Sequence, residues 1–272
     1  MSAGPSFPAA RRGANRGVIV VKVGGSTLGE GDSTTPDIVA LWRSGLHPVV
    51  VHGGGKVISD WVRKQGIHPT FVRGLRKTDR ATLEVAIAVL AGLVNTELVA
   101  EIANCGGKAV GISGVSGGLF QADLLDPELG LVGDIKAVDT SFVQQAVDAG
   151  MIPVVSPCAL NINPSAAEDA VLNINADTAA GHLARALKCE RLVFQTDVEG
   201  VLDATRRLIP RMTRRQARDL IDSGIASGGM IPKIEACADA LETVGSGHII
   251  DGRIAGALLR CVGGEDLGTR II

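Results

Sequence analysis

Two glycine-rich loops carry the clearest chemical signal in the sequence. Lys22 lies near the end of a β-branched run, VIVVKV, with only Val23 between it and Gly24 and Gly25. A second run, HPVVVH from His47 to His52, leads into Gly53, Gly54, Gly55 and Lys56. In an open parallel sheet, ligands collect at the carboxyl ends of strands, and glycines let backbone N–H groups approach an anion with no Cβ in the way. A helix that starts at a glycine triplet adds the positive end of its macrodipole, which suits phosphate or carboxylate. Each loop also has a plainer reading. Lys22 could snorkel from a tight strand-to-helix turn, and the triplet could simply allow a close helix-to-strand contact.

Other residues are weighed in the same way. Asn173, Asn175 and Asp177 stand at even spacing and could face one direction from an extended segment, or Asp177 could cap a helix starting at Thr178. Gly114-Val115-Ser116-Gly117-Gly118 fits the pattern of a hydrolase nucleophile elbow, but LFQAD after it reads as extended where that motif needs a helix. His52, between a strand and glycines, reads as structural rather than as a general base. Arg206, Arg207, Arg211, Arg214, Arg215 and Arg218 form a basic cluster read as a solvated surface. No Gly-x-Gly-x-x-Gly follows a strand and no Gly-x4-Gly-Lys-Ser/Thr occurs, so dinucleotide and P-loop readings have no residues behind them.

Positioning these loops requires alternating strands and helices. Short β-branched runs alternate with helix-patterned stretches from Val18 onward, which predicts an α/β fold with a parallel sheet between helices. Further strands are expected at KAVGIS, MIPVVS, RLVFQT and GHIIDG. Helices are expected over 57–65, 80–104, 140–149, 178–187, 214–223 and 233–244, with a short one over 37–44. The 80–104 stretch is apolar on most of its circumference, so it must be buried, in part by a second subunit, and Gly106-Gly107 supplies its stop. Residues 121–138, with a turn at Asp126-Pro127, suggest a hairpin standing off the sheet.

Bulk properties bound the partners. At 272 residues and 46% hydrophobic content, the chain can bury a substantial core. A net charge of -2 gives no electrostatic reason to expect nucleic acid or an anionic membrane. Five scattered cysteines (Cys105, Cys158, Cys189, Cys237 and Cys261) form no Cys-x-x-Cys pair and read as small apolar residues in a reducing, cytoplasmic compartment. No apolar run is expected to reach the roughly 18–20 residues that span a bilayer. The stretch 1–17 lacks the apolar segment of a secretory signal and reads as a disordered tail rather than a transit helix.

Four strings taken together, KVGGS at 22–26, HGGGK at 52–56, NINAD at 173–177 and GGMIPK at 228–233, resemble the amino acid kinase family. GLRKTD at 74–79, TDVEGV at 196–201 and GHIIDGR at 247–253 resemble the branch of that family that phosphorylates N-acetyl-L-glutamate. The match runs in order over most of 18–272. It implies a three-layer sandwich around a mostly parallel sheet of about eight strands, with an amino-acid lobe over 18–177 and a nucleotide lobe over 178–272.

The resemblance also implies roles. Lys22 and Lys233 would flank the transferring phosphoryl group, with Asp177 holding both. Gly54 and Gly55 would donate N–H groups to the reacting side, while Arg76 and Asn173 grip the amino acid. Gly24, Gly25, Thr196, Asp197, Val198, Gly200, Val201 and Met230 would line the nucleotide site. The implied reaction moves the γ-phosphate of ATP to the side-chain carboxylate of N-acetyl-L-glutamate, in arginine biosynthesis. Mg2+ would be held mainly by the nucleotide phosphates, with no protein metal site. A carboxylate is already ionised at neutral pH, so a strong general base is not needed. The runner-up readings are a kinase for carrier-protein-linked aminoadipate or glutamate, and a non-catalytic sensor. The tail has no periodicity resembling the extra helix of arginine-inhibited hexameric relatives, so an arginine-insensitive homodimer is expected.

Overall fold

A computed structural model of the chain describes residues 15–24, 33–166 and 169–272. Its main sheet has eight strands in the spatial order Arg211–Met212, Thr269–Ile271, Ser246–Asp251, Cys189–Thr196, Asn15–Val23, His47–His52, Ile152–Ser156 and Ala109–Ser113. All pairings are parallel except the one between Ser246–Asp251 and Thr269–Ile271.

Side chains alternate between faces along each strand, and both faces are covered. Val20, Val49, Val51, Leu192, Phe194 and Ile249 join one core with helices Ala176–Leu187 and Met230–Ala240. Ile19, Val21, Val50, Val193 and Ile250 join a second core with helices Thr34–Arg43, Asn95–Asn104 and Ala257–Val262. This double burial is why the central strands are nearly continuous Val/Ile runs. It produces the expected three-layer α/β sandwich, and because the central strands are parallel, Val23, His52, Thr196 and Asp251 end along one edge.

A four-stranded sheet, in the order Val171–Asn173, Cys158–Asn161, Phe120–Leu124 and Gly133–Val138, stands apart from the main one. Its antiparallel pair Phe120–Leu124/Gly133–Val138 is the hairpin foreseen around Asp126-Pro127. The turn Ser116–Gly118 leads into that strand, so no helix follows Ser116 and the elbow reading fails on geometry. A two-stranded ribbon joins Phe71–Val72 to Leu75–Arg76.

Several boundaries move. The first strand opens at Asn15 rather than Val18, while residues 1–14 of the expected tail lie outside the described residues. The helix expected from 37 begins at Thr34, and that expected from 57 begins at Gly55. The helix expected over 178–187 runs Ala176–Leu187, and that expected over 233–244 runs Met230–Ala240. Asp177 is not the cap of its helix: Asn175 is, its Oδ1 accepting from the N–H groups of Asp177 (2.9 Å) and Thr178 (3.1 Å).

The stretch 80–104 is helical throughout, as α-helix Arg80–Ile87, π-helix Ala88–Val94 and α-helix Asn95–Asn104. Asp79 caps it, and Gly106 in the left-handed region ends it as expected. By length and composition alone, Arg80–Asn104 is apolar enough to cross a membrane, although Glu84 and Glu97 interrupt its apolar run. Its packing is that of a core helix. Leu83, Ala86, Val89, Leu98 and Ile102 are fully buried, and the buried Asn95 amide bonds to His52 Nε2 at 3.1 Å and to the Val154 carbonyl at 2.9 Å.

Candidate active site

Three charged side chains from distant parts of the chain meet at the edge where the central strands end. The Asp177 carboxylate sits between Lys22 Nζ, 2.8 Å from Oδ1, and Lys233 Nζ, 2.8 Å from Oδ2. The Lys233 contact is an aligned hydrogen bond, and Lys233 also donates to the Gly229 carbonyl at 3.0 Å. The Lys22 contact is an ion pair without hydrogen-bond alignment. All three side chains are largely buried, at 9%, 7% and 13% exposure for Lys22, Asp177 and Lys233. Burial pushes the Asp177 carboxyl up, but Lys22 and Lys233 outweigh it and hold it below the usual carboxylate range. Two ammonium groups are thus fixed beside one carboxylate in a poorly solvated place, which pre-organises positive charge for an anion.

A cavity of about 220 Å³ opens beside this triad. Lys22, Gly54, Gly55, Arg76, Asn173 and Asp177 all line it. Arg76, on the ribbon strand Leu75–Arg76, donates Nη2 to the Gly55 carbonyl (2.7 Å) and to Ser59 Oγ (2.9 Å), and its guanidinium stacks 4.8 Å from the Phe71 ring centroid. Its Nη1 is buried with no partner. Burial lowers the Arg76 pKa, and nearby Arg63 adds to the effect. A fixed guanidinium on a side chain that lines the cavity is suited to a carboxylate. Asn173 is held by Thr78, whose Oγ1 accepts from Nδ2 at 3.2 Å.

The glycine loop has two explanations, divided between two residues. A Cβ at Gly54 would lie 2.8 Å from Leu90 Cδ2, so glycine is needed there for packing against the long helix. At Gly55 the nearest atom would be Arg76 Nη2 at 3.9 Å, which leaves the backbone open to the cavity at the first turn of a helix. His52 is structural, as read from sequence. It is fully buried, its Nε2 accepts from Asn95, and its Nδ1–H therefore donates to the Gly53 carbonyl at 3.0 Å.

The residues assigned to the nucleotide are spread more widely. Gly24 is buried at the end of the first strand, and Gly25 lies outside the described residues. Thr196 ends its strand, accepts from Gly252 N–H at 2.8 Å and donates its hydroxyl to Asp197 at 3.3 Å. Val198 is exposed. Val201 is buried in the core with its N–H on Thr269 Oγ1 at 2.8 Å, and Gly200 packs closely against Thr269 and Leu208. Met230 opens the helix that carries Lys233 one turn later. Of these, none among the described residues lines the Lys22–Asp177 cavity.

Sequence reading missed two supporting residues, Ser59 and Thr78, and the capping part of a third, Asn175. Ser59 buttresses Arg76, Thr78 holds Asn173, and Asn175 fixes the backbone of Asp177. Ser59 was discoverable, since it lies four residues after Gly55 on the helix face that also buries Ile58 and Val62.

The acetylglutamate kinase of Dehalococcoides mccartyi is 42% identical to this chain over 257 residues, covering 94% of each chain. Among solved structures, smu.665 from Streptococcus mutans superposes with a TM-score of 0.79 at 28% identity, over 93% of this chain and 98% of that one. N-acetylglutamate synthase from Neisseria gonorrhoeae, complexed with coenzyme A and N-acetyl-glutamate, gives a TM-score of 0.80 at 25% identity, over 93% of this chain and 59% of that one. The sequence pattern of the amino acid kinase family matches residues 17–251, and the chain belongs to that family.

Proposed function

We propose that the chain transfers the γ-phosphate of ATP to the side-chain carboxylate of N-acetyl-L-glutamate, the phosphorylation step of arginine biosynthesis. The observation that carries this reading is the meeting of Lys22 and Lys233 on one carboxylate, at the wall of a cavity that Arg76 also lines. A carboxylate oxygen of the acceptor attacks the γ-phosphorus, the bond from that phosphorus to the β–γ bridging oxygen breaks, and ADP leaves as an acyl phosphate forms. The acceptor is ionised at neutral pH, so no side chain must remove a proton. Catalysis is then positioning and charge neutralisation.

Lys22 and Lys233 neutralise the equatorial oxygens of the phosphoryl group, and Asp177 sets their separation. Gly55, with Gly54 behind it, offers backbone N–H groups. Arg76 binds the acceptor's free carboxylate and Asn173 its surroundings. Gly24, Gly25, Thr196, Asp197, Val198 and Met230 bound the nucleotide, with Gly200 and Val201 shaping that loop from beneath. Mg2+ would be held mainly by the nucleotide phosphates. The outward side of Arg80–Asn104, with Ala81, Ala88, Gly92 and Ala100 exposed, is where a homodimer would form. Five free cysteines suit a reducing cytoplasm.

The test is ADP release in a coupled assay, with hydroxylamine trapping the acyl phosphate as a hydroxamate. Turnover with N-acetyl-L-glutamate and none with free glutamate or aminoadipate is expected. ATP binding without hydroxamate from any of them would establish a sensor instead.

A further inference from the structure

Thr78 stands between the two side chains assigned to the acceptor, Arg76 and Asn173. Both of those line the Lys22–Asp177 cavity; Thr78 does not, and it is fully buried. Its hydroxyl donates to the Arg76 carbonyl at 3.0 Å and accepts from Asn173 Nδ2 at 3.2 Å. One oxygen thus ties the ribbon strand Leu75–Arg76 to the strand Val171–Asn173.

The backbone holds Thr78 in place without help from that hydroxyl. Its N–H donates to the Leu129 carbonyl at 2.8 Å, and its carbonyl accepts from the Leu131 N–H at 2.7 Å. Asn173 N–H donates to the carbonyl of the same Leu131 at 3.0 Å. The approach depends on Gly130, which has φ +71° and where a Cβ would fall 2.5 Å from the Thr78 carbonyl oxygen. Segment 129–131 is therefore a template shared by Thr78 and Asn173. Location comes from the main chain, which leaves the hydroxyl a separate task.

That task follows from proton counting. A hydroxyl carries one proton, and a carbonyl oxygen can only accept. The Thr78 proton is spent on Arg76, so its oxygen can receive only an N–H from Asn173. A primary amide has two orientations related by a half-turn, nearly alike in shape and opposite in hydrogen bonding. Thr78 selects the one with Nδ2 towards itself. The Asn173 side chain makes no other hydrogen bond among the described residues, so its Oδ1 and second N–H remain for a ligand. Arg76 is meanwhile fixed at both ends, its Nη2 by Gly55 and Ser59 and its carbonyl by Thr78.

We propose that Thr78 is a positioning residue for the acceptor: its hydroxyl sets the orientation of the Asn173 amide and ties it to the strand that carries Arg76, so that the two side chains meet one molecule together. This rests on the kinase reading above.

Thr78→Val keeps the side-chain shape without the hydroxyl, and Thr78→Ser keeps the hydroxyl. In steady-state ADP release, Thr78→Val should raise the KM for N-acetyl-L-glutamate about tenfold, with kcat and the KM for ATP moving less than about threefold. Thr78→Ser should bring that KM back to within about threefold of the unsubstituted chain. In an Asn173→Ala background, where the positioned amide is gone, adding Thr78→Val should raise the KM by less than about threefold more. Calorimetric titration with N-acetyl-L-glutamate should show the same pattern in Kd.

An unchanged KM in Thr78→Val, no rescue by serine, or a full tenfold rise on top of Asn173→Ala overturns the proposal. Equal losses for both substrates, or failure of Thr78→Val and Thr78→Ala alike to fold, make the hydroxyl structural and overturn it too. If the unsubstituted chain neither binds nor turns over N-acetyl-L-glutamate, the kinase reading itself fails, a result distinct from any difference among the variants.

Discussion

Arg76 and Gln195 are both buried, and each keeps a polar group without a hydrogen-bond partner, but their surroundings differ. Arg76 is 8% exposed and its unpaired Nη1 belongs to a side chain lining the cavity with Asn173 and Asp177. Gln195 is 1% exposed, neither Oε1 nor Nε2 is paired, and it lies in the sheet between Val23 and Ile250. Leaving a buried polar group unpaired costs about 1–3 kcal/mol in either place. Beside a cavity, a ligand that supplies the missing partner offsets that cost. Between Val23 and Ile250 no such partner is supplied among the described residues. An unpaired group therefore marks function only where space adjoins it.

The contrast predicts that cavity groups cost activity when altered and that Gln195 costs only stability. The largest effect belongs to Lys22→Ala and Lys233→Ala, each expected to lower kcat by about 10²–10³-fold or more. Steady-state ADP release measures it, and a mild loss at both positions would remove the lysines from the chemistry.

Next comes Asp177→Asn, which leaves two ammonium groups beside an uncharged amide and should cost about 3–5 kcal/mol in urea denaturation. The folded Asp177 pKa is depressed, so the carboxylate's contribution is complete above about pH 4 and is lost as acid protonates the folded chain. The stabilities of the two proteins should therefore converge at low pH.

Arg76→Ala should raise the KM for N-acetyl-L-glutamate by about 10–100-fold with a smaller change for ATP. An effect confined to ATP would put Arg76 on the wrong ligand. Gln195→Leu should stabilise the chain by about 1–3 kcal/mol and leave both KM values alone. If it instead changes a KM, the contrast with Arg76 breaks.

The smallest effect concerns His52, whose pKa burial lowers to about 4, with the Gly53 carbonyl opposing and Lys22 assisting. The unfolded chain takes up this proton near pH 6.5 and the folded chain near 4, so stability falls as pH drops through that window. Melting curves between pH 7 and 5 should show a shallower fall for His52→Gln.

How much of this was legible in the sequence depended on whether the signal was local. The central strands were readable because burial on two faces writes itself as unbroken Val and Ile, as in VIVVKV. The hairpin at Asp126-Pro127 was readable from its turn residues. Helix starts were not: Gly55 and Ala176 give no apolar periodicity, and Asn175 and Asp177 are equally good caps until the backbone chooses one. In the site, Lys22 and the glycine triplet announced themselves by adjacency, whereas Lys233 and Asp177 acquired roles only through the family resemblance. Nothing in the local sequence ties a lysine at 233 to an aspartate at 177. Gln195 carried no warning at all, because a lone polar residue in FQT looks the same whether it faces solvent or a core.

The π stretch in the long helix has a consequence for the glycine loop. Leu90 reaches Gly54 and Asn95 reaches His52, so two side chains five positions apart engage neighbouring points of the same loop. Five residues of ordinary α-helix turn through about 500°, which would set those side chains some 140° apart. The wider winding, bonded from i to i+5, brings them towards one bearing. The helix acts as a key cut with two teeth, and its spacing is set by seven residues, Ala88–Val94. Excising any one of them would rewind the shaft and leave one tooth engaged, so the cradle would lose its shape through a defect in thread pitch.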